Sequence, residues 1–194
     1  MYANEGTLLN IRARYLEGRE TYIPGNTAID TVTIHTKYRT PWLQLKITFD
    51  NYFPTSKKFK LGVFFENVYS TQGFFKNYQA TILSAPAFNP TAESHTFFID
   101  KFRAHNYFAG GLKTVTSPLK NFDIRLEAYI FQPVLAIISN NGAAKYGKPF
   151  AERHFSGTAA LVYNSPIGPI SASLNYYDQY ANPYSFFFHV GYII

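Results

Sequence analysis

The sequence predicts an all-β chain, an antiparallel transmembrane β-barrel with about eight strands present. Three observations point there. Apolar and polar residues alternate with a period of two along eight segments, and helical periodicity is hard to find. Short connections alternate with long ones, as in outer-membrane barrels. Charged residues make up only 15% of the chain while Phe, Trp and Tyr reach 19%, against roughly 25% charged residues in ordinary soluble domains.

The segments follow in order. In Leu9–Leu16, Leu9, Ile11, Ala13 and Tyr15 oppose Asn10, Arg12 and Arg14. In Trp42–Asp50, Leu43, Leu45, Ile47 and Phe49 oppose Gln44, Lys46, Thr48 and Asp50. Phe59–Val68 alternates with Phe64 as an interruption, and Asn106–Thr116 is glycine-rich and weaker. Phe122–Phe131 sets Ile124, Leu126, Ala128 and Ile130 against Asp123, Arg125 and Glu127. His154–Tyr163, Ile170–Tyr177 and Ser185–Ile194 complete the set. Strands of about ten residues span a tilted bilayer crossing.

Short turns are expected at Pro54–Lys58, Leu119–Asn121 and Ser165–Pro169. Long loops are expected at Gly18–Thr40, Tyr69–His105 and Gln132–Arg153, with Gln179–Tyr184 a shorter connection on the same side. Aromatic residues near strand ends (Trp42, Tyr52, Phe53, Tyr69, Phe131, Tyr163, Tyr176, Tyr177, Tyr184 and Tyr192) suggest interfacial girdles. Alternation alone also fits a soluble barrel or sandwich. Burial of Leu43, Leu45, Ile47, Leu174 and Phe188 in one compact core would favour that alternative, as would binding of an apolar ligand inside a soluble barrel.

Other classes are disfavoured. The net charge of +6 is spread singly, so no nucleic-acid partner is expected; Lys57, Lys58 and Lys60 read as a solvated turn. Cys is absent, which removes disulfides and thiolate chemistry. No apolar run is long enough for a membrane helix. The first residues lack a signal-peptide pattern, so the chain is expected to be trimmed or to be the C-terminal piece of something longer. No nucleophile elbow, phosphate loop or metal motif occurs, so no enzyme activity, metal or other cofactor is expected of this chain. The pair Ser94 and His95 is adjacent in sequence, which seldom makes a working dyad. Asp123, Arg125 and Glu127, with Arg12 and Arg14, are expected to face a lumen, where charges tend to pair. A latch between Arg103 and Glu127 is expected, with the long loop Tyr69–His105 folded inside.

The run Phe102–Leu112, with Arg103 and then Gly110-Gly111, resembles the sixth-loop motif of the bacterial surface antigen superfamily, which includes the outer-membrane barrel-assembly protein. Ser156–Ile170, with its Pro166-Ile167-Gly168-Pro169 turn, resembles the penultimate hairpin of that superfamily. His189-Val190-Gly191-Tyr192-Ile193-Ile194 is similar to the C-terminal signal recognised during barrel insertion. Arg14–Gly18, Ile23–Thr27, Leu83–Phe88, Phe102–Gly111 and Tyr146–Phe150 look like the barrel region of Bacteroidetes patatin-like phospholipases. The resemblance covers essentially the whole chain. Ala104 departs from the superfamily pattern, which has Gly there, and the patatin catalytic Ser-Asp dyad is absent.

The resemblance implies that residues 1–194 form one outer-membrane domain, the C-terminal half of a sixteen-stranded barrel. It would act as a membrane anchor or a display or translocation module of a patatin-like phospholipase or surface antigen protein, with the catalytic domain elsewhere in the parent. Implied partners are outer-membrane lipid, the barrel-assembly machinery and upstream domains of the parent, and the implied insertion signal is His189, Gly191, Tyr192 and Ile194. The alternative is a small standalone outer-membrane channel or adhesin barrel.

Overall fold

The computed structural model describes residues 5–22, 36–56, 58–166, 168–178 and 182–191. The strands are β1 (Gly6–Tyr22), β2 (Thr36–Pro54), β3 (Phe59–Ser70), β4 (Tyr107–Leu119), β5 (Phe122–Pro133), β6 (Leu135–Asn140), β7 (Ala143–Pro149), β8 (His154–Ser165), β9 (Gly168–Tyr177) and β10 (Tyr184–Val190). Between β3 and β4 lie a short helix α1 (Tyr78–Ser84) and two 3-10 turns, Glu93–His95 and Asp100–Phe102. Eight strands form one antiparallel sheet in the order β1-β2-β3-β4-β5-β8-β9-β10, and β6-β7 is a separate hairpin. The sheet is open, with β1 and β10 at its edges among the described residues.

Each of the eight expected segments has its counterpart in one strand of this sheet, because a period of two has only one regular backbone that puts successive side chains on opposite faces; of Ser185–Ile194 only the part to Val190 is strand, and residues 192–194 lie outside the described residues. The register carries each face across the sheet. One row runs Leu126, Ala159, Leu174 and Phe186. These outer-face residues are uncovered: Leu174 is 54% and Phe186 70% exposed. The opposite, inner row at the next position runs Tyr52, Gly62, Lys113, Glu127, Thr158, Asn175 and Ser185. Phe64, the interruption in the β3 pattern, belongs to the inner face. There it meets Tyr129 edge-on, with ring centroids 5.6 Å apart.

Two connections differ from expectation. The expected loop Gly18–Thr40 is partly strand, since β1 runs to Tyr22 and β2 begins at Thr36 in continuous register. The expected loop Gln132–Arg153 holds the β6–β7 hairpin. Its turn is Asn141-Gly142, with φ of 51° and 82°. Both central residues are left-handed, which Asn-Gly tolerates best and which matches the twist of the flanking strands.

Segment 71–106 packs over the inner face. Phe88, at its centre, stacks on Phe131 (5.7 Å) and meets Tyr107 and Tyr129 edge-on. Phe102 joins it, reaching Phe131 and Tyr177. With Val68, Ala104 and Ala109 these form the main buried cluster. Helix α1 is capped by Asn77, whose side chain accepts from the Ala80 N–H at 2.6 Å. Its Ile82, with Ala85 just past its end, packs on Ile137 of the hairpin in a second, smaller cluster.

The expected girdle divides between the two faces. Phe53, Tyr69, Tyr163, Tyr176 and Tyr184 are exposed on the outer face, but Tyr52, Phe131 and Tyr177 point inward and are buried. They occupy the alternate positions of their strands, so nearness to a strand end did not decide which way they face. Tyr192 lies outside the described residues.

Candidate functional site

The candidate site is the inner face of the sheet together with the segment that covers it. Alternation brings Asp50 and Tyr52 of β2, Glu66 of β3, Lys113 of β4 and Asp123, Arg125 and Glu127 of β5 to this face. Lys113 Nζ lies 2.6 Å from Asp50 Oδ2 and over the rings of Tyr52 and Phe64. The Arg125 guanidinium donates to the Tyr52 hydroxyl at 2.7 Å and lies 3.6 Å from Glu127. The Tyr129 hydroxyl donates to Glu127 at 2.6 Å. Glu66 accepts from the Tyr107 hydroxyl at 2.7 Å and pairs with Lys46 at 2.8 Å. Asp123 accepts from Ser117 and Asn164. Charges withdrawn from water persist only when paired or hydrogen-bonded in this way.

A cavity of about 350 Å³ lies within this network, lined among others by Asp50, Lys113, Arg125, Glu127, Glu93 and Asn175. Glu93 comes from the covering segment. It accepts from Ser185 of β10 at 2.7 Å and from the Tyr177 hydroxyl at 3.4 Å. The segment is therefore tied to the sheet from β3 to β10. A second cleft of about 400 Å³ runs between the segment and the first two strands, lined by Arg12, Arg14, Trp42, Lys46, Pro86 and Tyr107 among others. Among the described residues, no three His, Cys, Asp or Glu side chains stand together as a metal site, and no helix is long and apolar enough to cross a membrane.

Asp123, Arg125 and Glu127 do share the inner face, and the long loop does fold over it. Arg103 and Glu127 are not brought together. The Arg103 guanidinium donates to the carbonyls of Leu83 (2.9 Å) and Ala85 (3.0 Å) and stacks on Phe98. Glu127 is engaged by Tyr129 and Arg125 instead. The physical reason is local. The end of α1 leaves carbonyls without intrahelical partners beside Arg103, and an antiparallel bridge between Ala87 and Arg103 fixes the backbone there. Burial lowers the Arg103 pKa.

Of the expected insertion signal, His189 lies at an inner position of β10 with its ring stacked on Phe187. The Gly191 N–H donates to the Pro169 carbonyl at 2.8 Å. Tyr192 and Ile194 lie outside the described residues. Ser94 is occupied in a turn with Thr91.

Sequence reasoning missed Lys113, Asp50, Glu66 and Glu93 as members of the site. The first three carried a usable signal, a charge at the polar phase of an alternating strand. Glu93 carried none, because its partners lie on β9 and β10, far along the chain.

His105, at the end of the covering segment, is fully buried. Its Nδ1 lies 2.8 Å from the Tyr146 hydroxyl, while Nε2 has no hydrogen-bond partner. Burial pushes its pKa down to about 4. The unfolded loop therefore binds the proton more readily than the folded one. Stability is complete above the ordinary histidine value near 6.5 and falls as pH drops from there to about 4. Protease protection of segment 71–106 should decline across that window, and a His105→Gln chain should show a shallower decline. Equal slopes for the two chains would contradict the assignment.

No family model, curated protein or solved structure matches the chain.

Proposed function

We propose that the chain is part of an outer-membrane β-barrel whose outer face meets lipid and whose inner face is a plugged lumen. In this reading it serves as the anchor or display module of a larger protein, with the resemblance to patatin-like phospholipase barrels suggesting the parent. Its partners are then outer-membrane lipid, the barrel-assembly machinery and the upstream domains.

One observation carries the reading. From β2 to β10 the outward positions form a mostly apolar band, interrupted by Asn51, Asn67, Thr114 and Thr116 but without a single Asp, Glu, Lys or Arg: residues 43–53 of β2, 59–69 of β3, 108–116 of β4, 124–130 of β5, 155–163 of β8, 170–176 of β9 and 184–190 of β10. A sheet face that met water would gain from charges there. On the lipid face of a barrel a Lys or Arg at the bilayer midplane would cost about 2–4 kcal/mol, and less near the interfaces. Leu43, Leu45, Leu174 and Phe188 are all exposed, so they do not share one compact core. The paired charges on the covered face fit a lumen. The covering segment favours a closed anchor over an open channel, since conduction would require it to leave.

The test places a reporter on each face. Leu126→Trp should be quenched strongly by lipids brominated on their acyl chains after reconstitution into phosphatidylcholine vesicles. Thr158→Trp, on the inner face, should be quenched weakly. Equal quenching, or failure of the folded chain to float with vesicles, would overturn the reading.

A further inference from the structure

The outer face carries a hollow of about 230 Å³ across β3, β4 and β5. Two neighbouring rows of the register line it, Phe65, Gly110 and Ile130 in one, Phe108 and Gln132 in the next. Arg153, just ahead of β8, closes the end nearer the long connections. The walls are apolar and uncovered, Phe65 and Phe108 being 43% and 45% exposed. Gly110 leaves the floor empty, and packing within the chain does not require that. A Cβ there would come no closer than 3.8 Å to Ile130 or to the Phe64 carbonyl, whereas one at Gly111 would strike Tyr129. Nor is the Gly110 backbone left-handed.

Arg153 is the first charge met beyond the outward positions of β8. Its Nε donates to Gln132 Oε1 at 3.0 Å, and the Gln132 amide donates to the Glu152 carbonyl at 2.7 Å. The guanidinium plane is thereby held, and its terminal nitrogens keep the paired donors that match a phosphate. Among the described residues no carboxylate pairs with it, since Glu152 lies against His154 at 3.4 Å.

We propose that this hollow binds one phospholipid with a net negative headgroup. An acyl chain lies over Gly110 between Phe65, Phe108 and Ile130, and the phosphate sits on Arg153. The proposal rests on the barrel reading above and names a lipid which that reading leaves open. Charge complementarity selects the occupant. A zwitterionic headgroup brings an ammonium beside its phosphate and so gains less from a fixed cation. An apolar protein segment would offer the guanidinium no anion. The arginine stands where the apolar band ends, the level at which a headgroup meets water and a long cationic side chain can stay hydrated.

The experiment inserts the full chain into vesicles of equal phosphatidylcholine and phosphatidylglycerol. The chain is then extracted in mild detergent, and the lipid it retains is weighed by native mass spectrometry. Phosphatidylglycerol should be retained over phosphatidylcholine by about tenfold, the ratio expected of one hydrogen-bonded charge. Arg153→Gln should remove the preference. Lys148→Gln, which removes an exposed charge outside the hollow, should leave it intact. Gly110→Val fills the floor without strain, so it should keep the urea midpoint and retain neither lipid; Gly110→Ala, a smaller filling, should weaken retention if the valine chain does not fold. Equal retention of the two lipids by the inserted chain would overturn this proposal alone. So would an unchanged preference in Arg153→Gln, unchanged retention in a folded Gly110 variant, or an equal loss in Lys148→Gln, which would assign the effect to general surface charge. A chain that never enters vesicles would overturn the barrel reading with it.

Discussion

Phe88→Ala is expected to release segment 71–106 from the sheet. Phe88 is 2% exposed, and its ring lies within 6.4 Å, centroid to centroid, of Phe64, Phe102, Tyr107, Tyr129 and Phe131. Truncating a buried phenylalanine costs about 3–5 kcal/mol. The loss should be at the high end, because the neighbouring rings are held by their own hydroxyl bonds, Tyr107 to Glu66 and Tyr129 to Glu127, and cannot collapse into the space. The strands keep their own hydrogen bonds. The effect should therefore appear as rapid protease cleavage within 71–106 and fast amide exchange there, with β4 and β5 still protected. Phe88→Leu should recover most of the protection. Unchanged cleavage in Phe88→Ala would mean that the segment is held elsewhere, for example by Glu93.

Gly111→Ala is the second. Gly111 lies directly across from Tyr129, and a Cβ there would stand 2.3 Å from the ring. The ring covers the glycine like a lid, a pairing that lets an aromatic residue lie flat across a strand. Tyr129 cannot give way cheaply, being 3% exposed, bonded to Glu127 and packed against Phe64 and Phe88. Overpacking of this kind costs about 1–3 kcal/mol. Gly62 under Tyr52 repeats the arrangement with a looser contact of 2.9 Å, so Gly62→Ala should cost less. Urea unfolding in detergent micelles measures both. In a Tyr129→Ala background, Gly111→Ala should add almost nothing, the signature of two residues sharing one contact. Full additivity would show that the glycine is needed for some other reason.

Much of the sheet was legible because the signal was local. In Trp42–Asp50 and Phe122–Phe131 each residue declares its face by its neighbours two positions away. The β6–β7 hairpin was equally legible, since Asn141-Gly142 is the strongest short hairpin signal there is, yet the length of the Gln132–Arg153 connection argued for a loop. The Arg103 latch failed for the opposite reason. Which acceptor a long, flexible guanidinium reaches depends on where α1 ends and where its unsatisfied carbonyls lie, and no spacing encodes that. Tyr52 and Tyr177 show the same limit: their place near strand ends was right, but phase within the strand decides the face.

Alternation, turn residues and scarcity of charge determined by themselves that this protein is an antiparallel sheet with one apolar and one polar side. Tertiary structure alone decided which side chains fasten segment 71–106 to the polar side, that Lys113 chooses Asp50 and that Arg103 turns to the carbonyls of Leu83 and Ala85. The division is physical. Strand periodicity is written in neighbours a few ångströms apart along the chain, whereas charge pairing and loop docking join residues whose separation in sequence reaches 92 positions, as between Glu93 and Ser185.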